Sequence, residues 1–177
     1  LPVDLPFAET FSKYPSRYLS VQTGENIEAK YINSSIGTLP AGSNLLVLAC
    51  RDTVAGFDRK DYFNETKNST NMGRIRMCEL DLAGIPPTER VLLHISGALG
   101  AQSPNDLSTA RMRVFAGADG KQPIANQLGE WENRPTLYDQ EWVYELPNRI
   151  KHQIVIEFSG HGQNDLLAIG RFAVERP

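Results

Sequence analysis

Few side chains in this sequence could act as nucleophile, base or metal ligand. It holds three histidines (His94, His152 and His161), two cysteines (Cys50 and Cys78) and 21 Asp and Glu. Nucleophilic catalysis needs a Ser or Cys beside a His base that a third group orients, and the surroundings of the three histidines do not suggest it. His94 stands inside the apolar run RVLLHIS of residues 90–96, where a core histidine with satisfied hydrogen bonds is expected. His152 follows Asn148-Arg149 at a strand start and is expected to be solvated. His161 belongs to Ser159-Gly160-His161-Gly162, a turn rather than the G-x-S-x-G of a nucleophile elbow. No P-loop, dinucleotide fingerprint or H-E-x-x-H occurs, and no carboxylate pair of glycosidase type stands out. The residue types favour binding over bond breaking.

Binding chemistry is better represented. Trp131, Tyr138, Trp142 and Tyr144 bunch together, and Asn133, Arg134 and Asp139 stand among them. Aromatic faces pack on the C–H faces of sugars, while amide, guanidinium and carboxylate groups fix the hydroxyls. Trp131, Asn133, Arg134, Tyr138 and Asp139 are therefore candidate ligand contacts. Trp142 and Tyr144, two residues apart on a strand, are better read as core. A second aromatic group, Phe57, Tyr62 and Phe63, lies in the polar stretch 51–73, with Tyr62 a further candidate contact. Calcium needs several converging oxygens. Asp52, Asp58 and Asp61 around Gly56 lack EF-hand spacing, and Gln163-Asn164-Asp165 is a second oxygen-rich corner. Glu9 and Asp165 could share one site if the terminal strands meet. No cofactor is required; a structural Ca2+ is the one the oxygen-rich corners leave room for.

The elements that must position these groups show a period of two. Asn44–Cys50 is continuously apolar, as in a strand buried on both faces. Residues 90–96 send Val91, Leu93 and Ile95 one way, and residues 110–116 alternate Met112, Val114 and Ala116 with Arg111, Arg113 and Phe115 before an Asp119-Gly120 hairpin turn. Residues 153–159 place Ile154, Ile156 and Phe158 inward and Val155 and Glu157 outward. Gly170 interrupts the last apolar run as a candidate bulge. Within 74–82 the apolar phase shifts from odd to even positions, which one bulge near Met77 would reconcile. No segment sustains a helical pattern. The spacing predicts an all-β, antiparallel two-sheet jelly-roll β-sandwich, with residues 1–177 forming a single domain.

Two readings of the cysteines stand: two buried thiols, or a Cys50–Cys78 disulfide between adjacent strands, which would contribute about 3–4 kcal/mol. The tripeptides at Asn33, Asn64 and Asn68 fit the N-glycosylation pattern. Eighteen Lys and Arg against 21 acidic residues leave a net charge of −3, with no basic excess for nucleic acid. No apolar run approaches the roughly 18–20 residues that span a bilayer.

Several segments, taken in order, resemble the jelly-roll modules of the MAM-like and bacterial cleaved-adhesin group. They are Pro6-Phe7-Ala8-Glu9-Thr10-Phe11, then Glu79-Leu80-Asp81-Leu82-Ala83-Gly84, then Arg113-Val114-Phe115 with Asp119-Gly120, then the tryptophan region 131–142. Glu145-Leu146-Pro147, Ile154–Phe158 and Gly160-His161-Gly162-Gln163-Asn164-Asp165-Leu166 to Phe172 complete the series. The resemblance implies a non-catalytic module, extracellular or on the cell surface, that binds glycans or cell-surface proteins within a larger multidomain protein, sometimes with structural calcium. It also implies Glu9 as a metal ligand, whereas Gly170 and Arg171 replace the group's acidic residues in the last strand. The leading expectation is a carbohydrate-binding module. A protein adhesion or assembly module using residues 51–73 is the alternative, and a jelly-roll polysaccharide hydrolase or lyase is the third reading.

Overall fold

Every alternating segment named above becomes a strand, and every pairing is antiparallel. The computed structural model of the chain describes residues 5–13, 16–33, 42–56, 58–101, 110–125 and 140–177. Its strands are β1 (Phe7–Glu9), β2 (Leu19–Thr23), β3 (Ile27–Asn33), β4 (Asn44–Cys50), β5 (Met72–Met77), β6 (Leu80–Asp81) and β7 (Leu92–Ala101). They continue as β8 (Arg111–Ala116), β9 (Gln122–Ile124), β10 (Gln140–Glu145), β11 (Lys151–His152), β12 (Val155–Ser159) and β13 (Asp165–Glu175). Sheet I has the order β10-β7-β13-β4-β3 with β1 also on β13; sheet II runs β2-β5-β12-β8-β9; β6 and β11 form a separate pair.

Side chains alternate across a strand, so each strand gives one row to the space between the sheets. Leu46, Leu48, Leu93 and Ile95 from sheet I meet Ile75, Val114, Ile156 and Phe158 from sheet II in one buried core. The other face of β4 is apolar too: Leu45 and Val47 join Ala98, Leu166 and Ala168 in a second buried cluster. The absence of a polar face in Asn44–Cys50 is thereby explained.

Gly170 is the bulge its position suggested, for the β13–β7 register shifts between Ile169 and Arg171. The extra residue restores the phase, so Leu167 and Ile169 before it and Phe172 and Val174 after it all reach the core. It also marks a hand-over on one edge of β13, where β4 pairs with residues 166–169 and β1 with 172–174. On the other edge Gly97 has no substitute. A Cβ there would lie 1.9 Å from the carbonyl oxygen of Ala168.

Three expectations need correction. The phase change within 74–82 is not a bulge but a strand break: β5 ends at Met77, and β6 takes a different partner, β11. Cys50 and Cys78 are free thiols. Cys50 ends β4 beside Gly160, at the Met72 end of β5, since Ser159 pairs with Met72. Cys78 follows the opposite end of β5, about 20 Å away at the rise of an extended chain, far beyond bridging range. Burial and the neighbouring Asp165 push the Cys50 thiol far above its usual range, which leaves it inert. Finally, His152 is not solvated but fully buried. Gly117 N–H donates to its Nδ1 at 3.0 Å, and its Nε2 lies 2.7 Å from the Asn148 carbonyl, so Nε2 carries the proton. This ring ties the 117–120 turn to the segment before β11.

Candidate functional site

A groove opens where the two sheets part at their edges, between β2 of sheet II and β3 of sheet I. β1 and β4 occupy the same edge of β13, so the chain must turn away after Glu9. Phe11 makes that turn with φ of +58°, a left-handed conformation costly for an aromatic residue. Backbone strain of this kind clusters at functional sites. The turn drops the ring inward, where it is 2% exposed and packs edge-on against Tyr31, centroids 5.6 Å apart. Phe11, Tyr31 and Leu46 thus floor a groove of about 210 Å³ walled by Leu19 and Val21 and by Ser16 and Ser20. Val21 is one of two large apolar side chains exposed among the described residues.

A second depression of about 320 Å³ adjoins the first through Ser16 and is lined by Glu9, Ser12, Lys13, Arg17 and Tyr18. The Arg17 guanidinium lies 4.8 Å from the Tyr18 ring centroid and donates to its hydroxyl at 2.5 Å. Phe7 braces the same ring edge-on at 4.9 Å. Neither Glu9 nor Lys13 makes a side-chain hydrogen bond or ion pair with any described residue. An apolar floor beside hydroxyls and uncommitted charges suits a ligand with C–H faces and many polar groups.

This is not where the sequence pointed. Trp131, Asn133, Arg134, Tyr138, Asp139 and Phe57 lie outside the described residues. Tyr62 stacks on His161 with centroids 4.4 Å apart, the Arg111 guanidinium sits 5.0 Å from its ring, and its carbonyl accepts from Asn68 and Ser159. It pins the 51–73 segment, as Phe63 does beneath the Arg113 guanidinium. Trp142 and Tyr144 are core, and burial pushes the Tyr144 phenol far up. Glu9 and Asp165 do not meet: Glu9 pairs opposite Phe172 and Asp165 opposite Ala101, on the order of 20 Å apart along β13. Asp165 is buried and accepts from the Gly162 N–H. No group of three His, Cys, Asp or Glu among the described residues could hold a metal. The groove itself had a sequence signal, since Phe7, Phe11, Tyr14, Tyr18 and Tyr31 crowd the first 31 residues.

The histidines are structural. His94 lies on the outer face of sheet I, its Nδ1 2.5 Å from Glu141 and its Nε2 2.7 Å from Glu175. The latter contact is close but makes no hydrogen bond, so His94 is not the fully satisfied core histidine expected of its apolar run. His161 joins a buried polar network in which Asn68 donates to Ser159 Oγ and to the Tyr62 carbonyl, with His161 Nε2 3.1 Å from the same amide nitrogen. Asn71 donates to Asn68 and accepts from Asn26. Ser159, Asn68 and His161 are sealed from solvent, and the Ser159 hydroxyl is spent on the Tyr62 carbonyl, so no substrate reaches them. Asn68 is fully buried with its amide nitrogen engaged, which excludes it as a glycan acceptor in the folded chain.

Burial first, and then the Arg111 charge, lower the His161 pKa to about 4. The unfolded chain takes up that proton near pH 6.5, the folded chain only near pH 4. Stability is therefore undiminished above pH 6.5 and falls as pH drops towards 4, by up to about 1.4 kcal/mol per pH unit. Urea midpoints measured across this window for the wild type and His161→Phe should converge as pH falls; parallel curves would disprove the linkage.

No family model matches the sequence, and no curated protein matches it. Among solved structures, the K1 cleaved adhesin domain of Lys-gingipain from Porphyromonas gingivalis W83 is similar over 98% of both chains, with a TM-score of 0.50 and 16% identity. The chain shares the β-sandwich fold of that domain. The mannan-recognising carbohydrate-binding module TmCBM27 is similar over 97% of this chain and 96% of its own, with a TM-score of 0.48 and 9% identity. A structure of carbohydrate-binding modules from the β-sandwich superfamily is similar over 95% of this chain, at a TM-score of 0.47 and 10% identity. The present chain spans 60% of that chain's length. A shared sandwich establishes architecture; function has to come from the site.

Proposed function

We propose that this cleaved-adhesin-like sandwich is a non-catalytic extracellular module that binds carbohydrate in the groove between β2 and β3. The observation that carries the reading is the groove itself: the half-buried Tyr31 ring backed by the buried Phe11, hydroxyls at Ser16 and Ser20, and an open mouth. Sugar rings present C–H faces and hydroxyls in just this combination, and shallow open grooves admit chains as well as chain ends. The sealed histidines support binding without turnover. The alternative adhesion surface at 51–73 is weakened, because Tyr62 and Phe63 are occupied within the fold.

Ser20 is exposed on the edge strand β2, so Ser20→Trp fills the groove without touching the core. On a glycan array and by calorimetry, Ser20→Trp should weaken binding at least about tenfold, roughly 1.4 kcal/mol, while Trp131→Ala binds like the wild type. The opposite pattern would move the site to Trp131, Asn133, Arg134, Tyr138 and Asp139. Release of reducing sugar by the wild type would overturn the non-catalytic reading.

A further inference from the structure

We infer, resting on the glycan reading above, that the two adjoining depressions act as neighbouring subsites that select an acidic oligosaccharide: a pyranose on the Phe11–Tyr31 floor linked to a residue bearing a carboxylate or sulfate. The depressions adjoin at Ser16, which lines both. The first contains no charged side chain. The second contains Lys13, Arg17 and Glu9, an excess of one positive charge on a chain whose net charge is −3. Charge placed against the net sign of the molecule favours an anionic ligand locally.

Lys13 has no partner among the described residues, so its ammonium is available to a ligand. Arg17 is held by Tyr18 through its ring face and hydroxyl, neither of which neutralises it. Tyr18 is in turn braced by Phe7 and hydrogen-bonded from its own N–H to Ser16 Oγ at 3.2 Å. The guanidinium is therefore set in place beside the wall common to both depressions, where a planar fork can meet a carboxylate or sulfate. Glu9, also without a partner among the described residues, is an acceptor for sugar hydroxyls and repels a second acidic group. A ligand alternating neutral and acidic residues fits this layout better than a uniformly charged polymer.

The test compares a hyaluronan tetrasaccharide, which alternates neutral and carboxylate-bearing residues, with neutral cellotetraose and xylotetraose by calorimetry. The wild type should bind the acidic tetrasaccharide at least about tenfold more tightly than either neutral one at low salt, with the advantage shrinking at 0.5 M NaCl as screening increases. The Lys13→Gln/Arg17→Gln double variant should bring the acidic ligand to the neutral level, and Arg17→Glu should reverse the order. Circular dichroism and melting temperature check that each variant is folded. Equal wild-type affinity for neutral and acidic ligands, or an acidic preference that survives the double variant, overturns the inference while leaving the glycan reading intact. Failure to bind any of the three overturns the inference, and the glycan reading falls with it only if the glycan array is blank as well.

Discussion

Glu157→Ala is expected to lower stability by about 2–3 kcal/mol and the melting temperature by roughly 5–10 °C. Glu157 stands at the centre of sheet II on its outer face, only 4% exposed. Its neighbours across the ladder are Arg74 on β5 and Arg113 on β8, directly opposite in register. Arg74 Nε donates to Oε2 at 2.7 Å and Arg113 Nε to Oε1 at 2.5 Å. Removing the carboxylate leaves two guanidinium groups facing each other across a cavity, and losing one partner of a buried pair costs about 3–5 kcal/mol. Both arginines reach solvent, with side chains 27% and 43% exposed, and Arg74 keeps Glu65, so the lower figure applies. Glu157→Gln should lose about half as much, since it retains one acceptor. Thermal melts of the three proteins decide the matter; an unchanged melting temperature for Glu157→Ala would mean that the ladder acts as an ordinary surface ion pair.

Trp142→Ala is expected to cost about 3–5 kcal/mol, a large part of the roughly 5–15 kcal/mol that holds a domain folded. Trp142 pairs opposite Ile95 on the edge strand β10, is 2% exposed and points between the sheets. Its removal opens the core beneath the edge, where β10 has a strand neighbour on one side only among the described residues. Equilibrium urea unfolding measures the loss. Near-wild-type stability coupled with lost glycan binding would instead make Trp142 a ligand residue and contradict its place in the core.

Those two side chains show how far the sequence can be read. Trp142 and Tyr144 are legible as core because a strand's period of two puts them on one face, and burial of one face is decided locally. Gly170 is legible as a bulge because a phase can be counted along the chain. Glu157 was expected to face outward, and it does; that it is nevertheless buried follows from Arg74 and Arg113, which stand far from it in sequence and beside it only after the strands pair. His152 looked like a solvated strand start and His161 like a turn residue because Gly117 and Asn68, which bury and bond them, come from distant segments. The meeting of Phe11 with Tyr31 was not legible in the sequence, because it depends on β1 handing over an edge of β13 to β4.

Local alternation and turn chemistry alone thus specified an antiparallel sandwich, its core rows and the Gly170 irregularity, because these depend on neighbours within a few residues. Strand order, the separation of Cys50 from Cys78 and of Glu9 from Asp165, and the convergence of Phe11, Ser16, Ser20 and Tyr31 on one groove were decided only by tertiary structure. The reason is geometric: alternation tells each strand which face is buried but carries nothing about which strand lies beside it, and a binding site is a statement about neighbours.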